Sequence, residues 1–215
     1  IAPYVRREAV LSSRIEGTRA SLSDLLIDEL DAQPAPTTEA GDVLEVRNYV
    51  TALEHGLARL NELPLSLRLV REIHERLMRG VRGDNATPGE FRRSQNWIGP
   101  QGSTPATAPY VPPPVNEMHE CLDDWEKFLH QRETLPDLIH TAIAHAQFEA
   151  IHPFLDGNGR VGRLLITLEL IECERLSQPL LYLSAFIEAN RQDYYDLLQR
   201  IRTHGDWDAW IRYFL

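Results

Sequence analysis

Cysteine is almost absent: the chain of 215 residues has two, Cys121 and Cys173, both inside stretches with helical patterning. So few cysteines exclude a disulfide-built scaffold and leave two buried, reduced thiols as the expectation, in keeping with a cytoplasmic protein. Long hydrophobic runs are also missing. No stretch reaches the roughly 20 apolar residues of a membrane-spanning helix, and residues 1–10 carry Arg6, Arg7 and Glu8 where a signal peptide would be apolar. No membrane partner is expected. Positive charge is scarce, with 22 Lys and Arg against 32 Asp and Glu and a formal net charge of −10. That sign repels a phosphate backbone and makes the chain a poor nucleic-acid binder, though it allows one nucleotide in a small basic pocket. The chain starts without Met and stops inside the apolar pattern at 210–215, so it reads as a piece of a longer protein.

What is present is helical periodicity. Pro3 suits a first helical turn and Gly17 the position past a helix end, so 3–16 reads as helix. Ser21 with Asp24 signals a second start, followed by Leu22, Leu25, Leu26 and Leu30. Residues 33–41 read as a loop, and further helices are expected over 42–62, 66–79, 115–132, 136–151, 160–175, 184–202 and 207–215. Residues 83–114 are rich in proline and glycine. There the β-like runs 95–98 and 108–111 flank turn-forming residues 99–107, which predicts a short exposed hairpin. The expected fold is all-α with one β-hairpin, built from an N-terminal region (1–32) and a main domain (42–215).

The segment His152-Pro153-Phe154-Leu155-Asp156-Gly157-Asn158-Gly159-Arg160-Val161-Gly162-Arg163 joins two apolar helices. Pro153 pushes His152 out of the helical region and ends the first of them. Gly157 and Gly159 let successive N–H groups converge on an anion, and the next helix adds the positive end of its dipole. Arg160 and Arg163, three apart, are placed to grip phosphate oxygens. Asp156 offers a hard oxygen for Mg²⁺ bound to phosphates, and His152 titrates near neutrality, as a base for an attacking hydroxyl must. Singly, each feature has a plainer structural reading; together, between two core helices, they point to phosphoryl-type chemistry.

The segment resembles the Fic family signature, His-x-Phe-x-Asp/Glu-Gly-Asn-Gly-Arg-x-x-Arg, with every position filled, and the likeness extends over nearly the whole chain. The resemblance implies a Fic-type helical domain that transfers AMP from ATP to Ser, Thr or Tyr hydroxyls of target proteins, itself included, with a homodimer as one assembly. It implies His152 as base, Asp156 as Mg²⁺ ligand, an anion hole from Gly157, Asn158, Gly159 and Arg160, and Arg163 on the γ-phosphate. Phe154 would anchor the loop, and Val161 and Gly162 complete the nucleotide-binding stretch. Trp97, Ile98, Gly99, Tyr110 and Val111 would form the flap to which the target adds as a strand. Asn190, Tyr194 and Tyr195 fall where the adenine pocket lies.

A second motif, Ser12-Ser13-Arg14-Ile15-Glu16-Gly17, admits two readings. Ser13 and Glu16 have capping-box spacing, but that would leave the periodic run from Pro3 unexplained. Otherwise Glu16 sits at a helix C-terminus, where the dipole disfavours an acid and a cation is wanted. Ser12, Glu16 and Gly17 match the family's inhibitory pattern, Ser/Thr-x-x-x-Glu-Gly/Asn, in which the glutamate pairs with the residue matching Arg163. His140 and His145, five apart, lack the spacing for shared metal ligation. Two alternatives share the motif: an enzyme that removes AMP or transfers another phosphate-containing group, and a non-catalytic regulator in which bound nucleotide controls a partner or a further C-terminal module, with DNA binding by such a module left open.

Overall fold

Apolar residues at helical spacing organise almost the whole chain, and the computed structural model describes residues 2–30, 38–81, 87–100 and 102–215. The helices are α1 (Ala2–Ile15), α2 (Leu22–Leu30), α3 (Thr38–Arg59), α4 (Leu67–Leu77), α5 (Val115–His130), α6 (Asp137–Ile151), α7 (Asn158–Glu172), α8 (Leu183–Ala189), α9 (Arg191–His204) and α10 (Trp207–Phe214). α6 and α7 form the central hairpin. α3 and α4 pack against α7, α5 covers α6, and α1 lies between α3 and α8. The larger core gathers Leu53, Leu69, Ile73, Phe148, Leu164 and Leu168; a smaller one joins Ala142, Ala146, Tyr194, Leu198 and Trp210.

Helix starts follow local chemistry. Ser21 and Asp24 form the expected reciprocal box, the Asp24 carboxylate accepting from Ser21 N–H at 2.8 Å and Ser21 Oγ from Asp24 N–H at 3.2 Å. Gly17, at φ 98°, lets the chain leave α1. Part of the expected loop over 33–41 lies outside the described residues, but 38–41 belong to α3. The helix expected over 184–202 is broken at Asn190, whose backbone leaves the α region. The Asn190 side-chain amide donates to Phe186 O at 2.9 Å, competing with the helical ladder.

The hairpin expected over 95–111 is reduced to one antiparallel bridge, and no strand forms among the described residues. Ile98 N–H donates to Tyr110 O at 2.9 Å and Tyr110 N–H to Ile98 O at 3.3 Å. Extending that ladder would pair 96 with 112 and 100 with 108, and Pro112 and Pro100 have no N–H to give. The two cysteines are free and partly exposed rather than buried.

Candidate active site

The loop between α6 and α7 is held by its own residues and by distant ones. His152, the C-cap of α6, adopts a left-handed conformation (φ 49°) before Pro153. Phe154 is fully buried and stacks on His74 at 3.7 Å between ring centroids, so it anchors the loop as expected. Asn158 turns inward: its Oδ1 accepts from Phe154 N–H at 2.9 Å and its amide donates to Phe154 O at 2.8 Å. Gly89 N–H donates to Nδ1 of His74, which leaves the proton on Nε2 to donate to Asp156 O at 3.1 Å. Burial pushes the His74 pKa down to about 4, consistent with that neutral ring.

Helix α7 opens with Gly157 in the left-handed region (φ 78°), and a Cβ there would meet Met78 Sδ at 2.8 Å. Val161 is the first residue to bond back, to Gly157 O at 3.0 Å. The N–H groups of Asn158, Gly159 and Arg160 thus have no acceptor within the helix, the condition for an anion seat. Val161 is fully buried in the core.

Arg160 and Arg163 diverge. Arg160 donates to Glu45 at 3.3 Å and to Met78 Sδ at 3.5 Å, so its guanidinium sits chiefly on the α3–α4 side, with Nη2 3.9 Å from Asp156 Oδ1. Arg163, also buried, faces α1: Nε donates to Ser12 Oγ at 2.8 Å, and Nη2 to Ser12 O at 3.0 Å and to Glu16 Oε1 at 2.7 Å. Burial raises the Glu16 pKa, but Arg163 outweighs it and holds the carboxylate below its ordinary range. A Cβ at Gly159 would lie 2.4 Å from Glu16 Oε1. Glu16 therefore rests directly on the first turn of α7. The motif's second reading, an acid at a helix end with a cation, is the one realised.

Two cavities meet at Glu16. The larger, about 310 Å³, has Arg163, Glu149 and His152 at one side and Trp97, Tyr195, Leu198 and Arg202 around it. The smaller, about 110 Å³, lies over Asp156–Gly159 beside His152. The Asp156 side chain is half exposed to it, with Oδ1 accepting from Gly157 N–H at 2.6 Å. No cluster of three metal-ligating side chains exists among the described residues. A lone open carboxylate suits a cation held mainly by phosphate oxygens rather than by a protein cage. Burial, and then the positive charge of Arg202, push the His152 pKa down to about 4, below the near-neutral titration expected from the sequence; the imidazole is neutral and free to accept a proton, but is a weaker base than an exposed histidine.

Of the expected adenine-pocket residues, Tyr194 and Tyr195 both line the larger cavity, Tyr194 being otherwise buried, and Asn190 lies outside its lining. The Tyr194 hydroxyl donates to Nε2 of His145 at 2.9 Å, because Nδ1–H of that ring is committed to Gly162 O at 3.1 Å. His140 is likewise structural, bonded to Glu169 and Phe128 O. Of the flap residues, Trp97, Ile98 and Gly99 line the cavity, Tyr110 pairs with Ile98, and Val111 is exposed.

Sequence reasoning missed several residues. Arg92 Nε donates to His152 O at 3.1 Å, and the Asn96 amide to His152 O at 3.2 Å and to Phe154 O at 2.9 Å. Nothing local to positions 92 and 96 announces those bonds. Leu198 and Arg202 carried a signal: they follow Tyr195 by three and seven and so share its helical face. Glu149 precedes His152 by one turn. Its Oε1 is buried without a hydrogen-bond partner, and burial pushes its pKa up to about 7. A Cβ at Gly162 would lie 2.4 Å from that oxygen, which explains a glycine there.

Known proteins fit this geometry. A family model described as Fic/DOC family matches residues 64–170, and one described as Fic/DOC family N-terminal matches residues 1–58. A protein adenylyltransferase Fic of Aedes aegypti is 29% identical over 206 residues, 93% of this chain and 37% of its own length. That of Drosophila grimshawi is 27% identical over 180 residues, 80% of this chain and 34% of its own. The chain thus spans roughly a third of these relatives. A Fic family protein of Desulfovibrio desulfuricans shares the fold with a TM-score of 0.81 at 24% identity, over 99% of this chain and 61% of its own. A Fic domain containing signaling protein of Bacteroides thetaiotaomicron does so with a TM-score of 0.79 at 16% identity, over 98% of this chain and 80% of its own. The motif, the helical fold around it and the two family matches agree that this chain belongs to the Fic/DOC family.

Proposed function

We propose that this chain is the catalytic part of a protein AMP-transferase restrained by its own Glu16. The reading rests chiefly on one observation: a carboxylate on Arg163 and against Gly159 occupies a seat built for an anion. ATP is the donor and a target-protein hydroxyl the acceptor, as the names of the relatives suggest for proteins of their kind. Neutral His152 takes the proton of a Ser, Thr or Tyr hydroxyl as that oxygen attacks the α-phosphate. The new O–P bond forms, the bond to the β-phosphate oxygen breaks, and pyrophosphate leaves. Charge on the α-phosphoryl group is met by the N–H groups at the start of α7. Arg163 takes the γ-phosphate once Glu16 has left it. Mg²⁺, when bound, would supply charge neutralisation across the phosphates, with Asp156 as its protein ligand. Trp97, Ile98, Gly99, Tyr110 and Val111 present the edge that receives the target segment, and Tyr195 borders the base. Ser12 and Gly17 keep Glu16 in place, one by binding Arg163 and the other by ending α1.

The test incubates the parent chain, Glu16→Gly and Glu16→Gly/His152→Ala with Mg²⁺ and ATP labelled at the α-phosphate, and reads protein-bound AMP by intact mass. Label that rises in the single variant and vanishes in the double variant is the expected result. No label in any variant, with ATP still bound, would overturn AMP transfer. Equal labelling of parent and Glu16→Gly would overturn the restraint.

A further inference from the structure

The flap rejoins the body of the molecule through α9 and the end of α6. Tyr110, half of the flap's single bridge, donates its hydroxyl to Ala150 O at 2.8 Å. Arg202 lies over the Tyr110 ring, its guanidinium carbon 3.9 Å from the centroid. From there Nη2 donates to Glu149 O at 3.0 Å, in the last turn of α6. One turn earlier on α9, Gln199 donates to Pro109 O at 3.1 Å. The Glu149 backbone also acts on the His152 imidazole, whose Nδ1 is buried without a hydrogen-bond partner. Arg202 also borders the cavity that His152 lines, and its own Nε is buried without a partner. A single planar cation thus touches the flap, the helix that ends in His152, and the cleft between them.

We propose that Arg202 is a positioning residue that ties the flap to the last turn of α6, so that one side chain sets both the target-receiving edge and the His152 imidazole. The inference rests on the reading of His152 as base and of the flap as target edge. Arginine suits the task where lysine does not: its plane stacks on Tyr110 while its edge still donates to a carbonyl. Its charge also disfavours a second cation at His152, which keeps that ring in the proton-accepting form. The other groups acting on His152 are Glu16 just past the end of α1, Arg92 from the segment before the flap, and the Glu149 backbone of α6.

The experiment compares the full chain with Arg202→Met, Arg202→Lys and Gln199→Ala, after circular dichroism has shown each to be folded. It reads amide hydrogen exchange at Ile98 and Tyr110, and the His152 titration by NMR, with that resonance identified by its loss in His152→Gln. Arg202→Met should speed exchange at both amides roughly tenfold and raise the His152 midpoint by roughly one unit. Arg202→Lys should speed exchange while leaving the midpoint near the parent's. Gln199→Ala, which loosens the flap without touching α6, should likewise change exchange alone. Arg202→Met moving only one readout, or neither, would overturn the coupling. So would parent-rate exchange in Arg202→Lys. Neither readout needs nucleotide or target, so absent AMP transfer would strike the proposed function and the roles it gives His152 and the flap, while the physical coupling through Arg202 is judged by these two readouts alone.

Discussion

The loop at 152–163 and the flap at 95–111 face the same cleft but are stabilised in opposite ways. The loop is over-determined even though Leu155 and Asp156 are open to solvent: Asn158 bonds both backbone groups of Phe154, Arg92 and Asn96 hold His152 O, and His74 holds Asp156 O. The flap has one backbone bridge among the described residues and is otherwise tied down by side chains at Pro109 and Tyr110, and Trp97 and Val111 are each 40% exposed. A group that must meet a reacting atom needs a fixed position. An edge that must accept a partner's backbone cannot already be satisfied. The contrast teaches that order here follows the chemistry each segment is proposed to perform.

The sharpest way to break the comparison is Asn158→Ala, which strips partners from two buried backbone groups. It should destabilise the chain by about 3 kcal/mol in urea denaturation; a loss below about 1 kcal/mol would mean the loop is no better held than the flap.

Next comes a pH dependence lodged in the floor under the loop. The Glu149 pKa is raised to about 7 by burial, against an ordinary value of 4.5. A raised carboxyl contributes stability that is full below about pH 4.5 and is lost as pH rises through about 7. Parent and Glu149→Gln should therefore converge at pH 5 and part at pH 8, where the variant gains roughly 2 kcal/mol over the parent. Thermal unfolding at both values checks this; parallel curves would remove the buried acid from the account.

Two glycines carry the contrast further. Gly162→Ala drives a methyl to 2.4 Å from Glu149 Oε1, whereas Gly102→Ala, at φ 90° in the flap, meets nothing within 4 Å. Overpacking should cost about 2 kcal/mol at the first and backbone strain about 1 kcal/mol at the second, read by denaturant midpoints. Reversed costs would put the tighter packing in the flap.

The smallest effect belongs to Trp97→Phe. It removes the 2.8 Å bond from Nε1 to Ser103 O in an exposed turn and should cost about 0.5 kcal/mol. Differential scanning calorimetry would resolve it, and a loss above about 2 kcal/mol would give the flap a core of its own.

Much of this was legible along the chain. Apolar spacing gave the helices, the Ser21–Asp24 box and Gly17 marked real ends, and the twelve residues from His152 brought a histidine, an acid and a glycine turn together. What stayed hidden was set by partners far away in sequence. The hairpin was over-read because Pro100 and Pro112 act on pairing positions that are fixed only once Ile98 faces Tyr110. The helix over 184–202 was read as continuous because periodicity does not register a side chain such as Asn190 bonding back to Phe186 O.

The sequence by itself determined the family, the helical class and the position of the loop on which the proposed function rests, because these depend on residue types at short and regular spacing. Only the tertiary structure decided that Arg163 turns to Glu16 while Arg160 turns to Glu45, that Asn190 stands outside the cleft, and that Arg202 meets both Tyr110 and the last turn of α6. Two residues three apart on one helix look alike in a periodic pattern. Which of them meets a carboxylate in the cleft, and which meets one in the core, is settled by the helices that pack against each face.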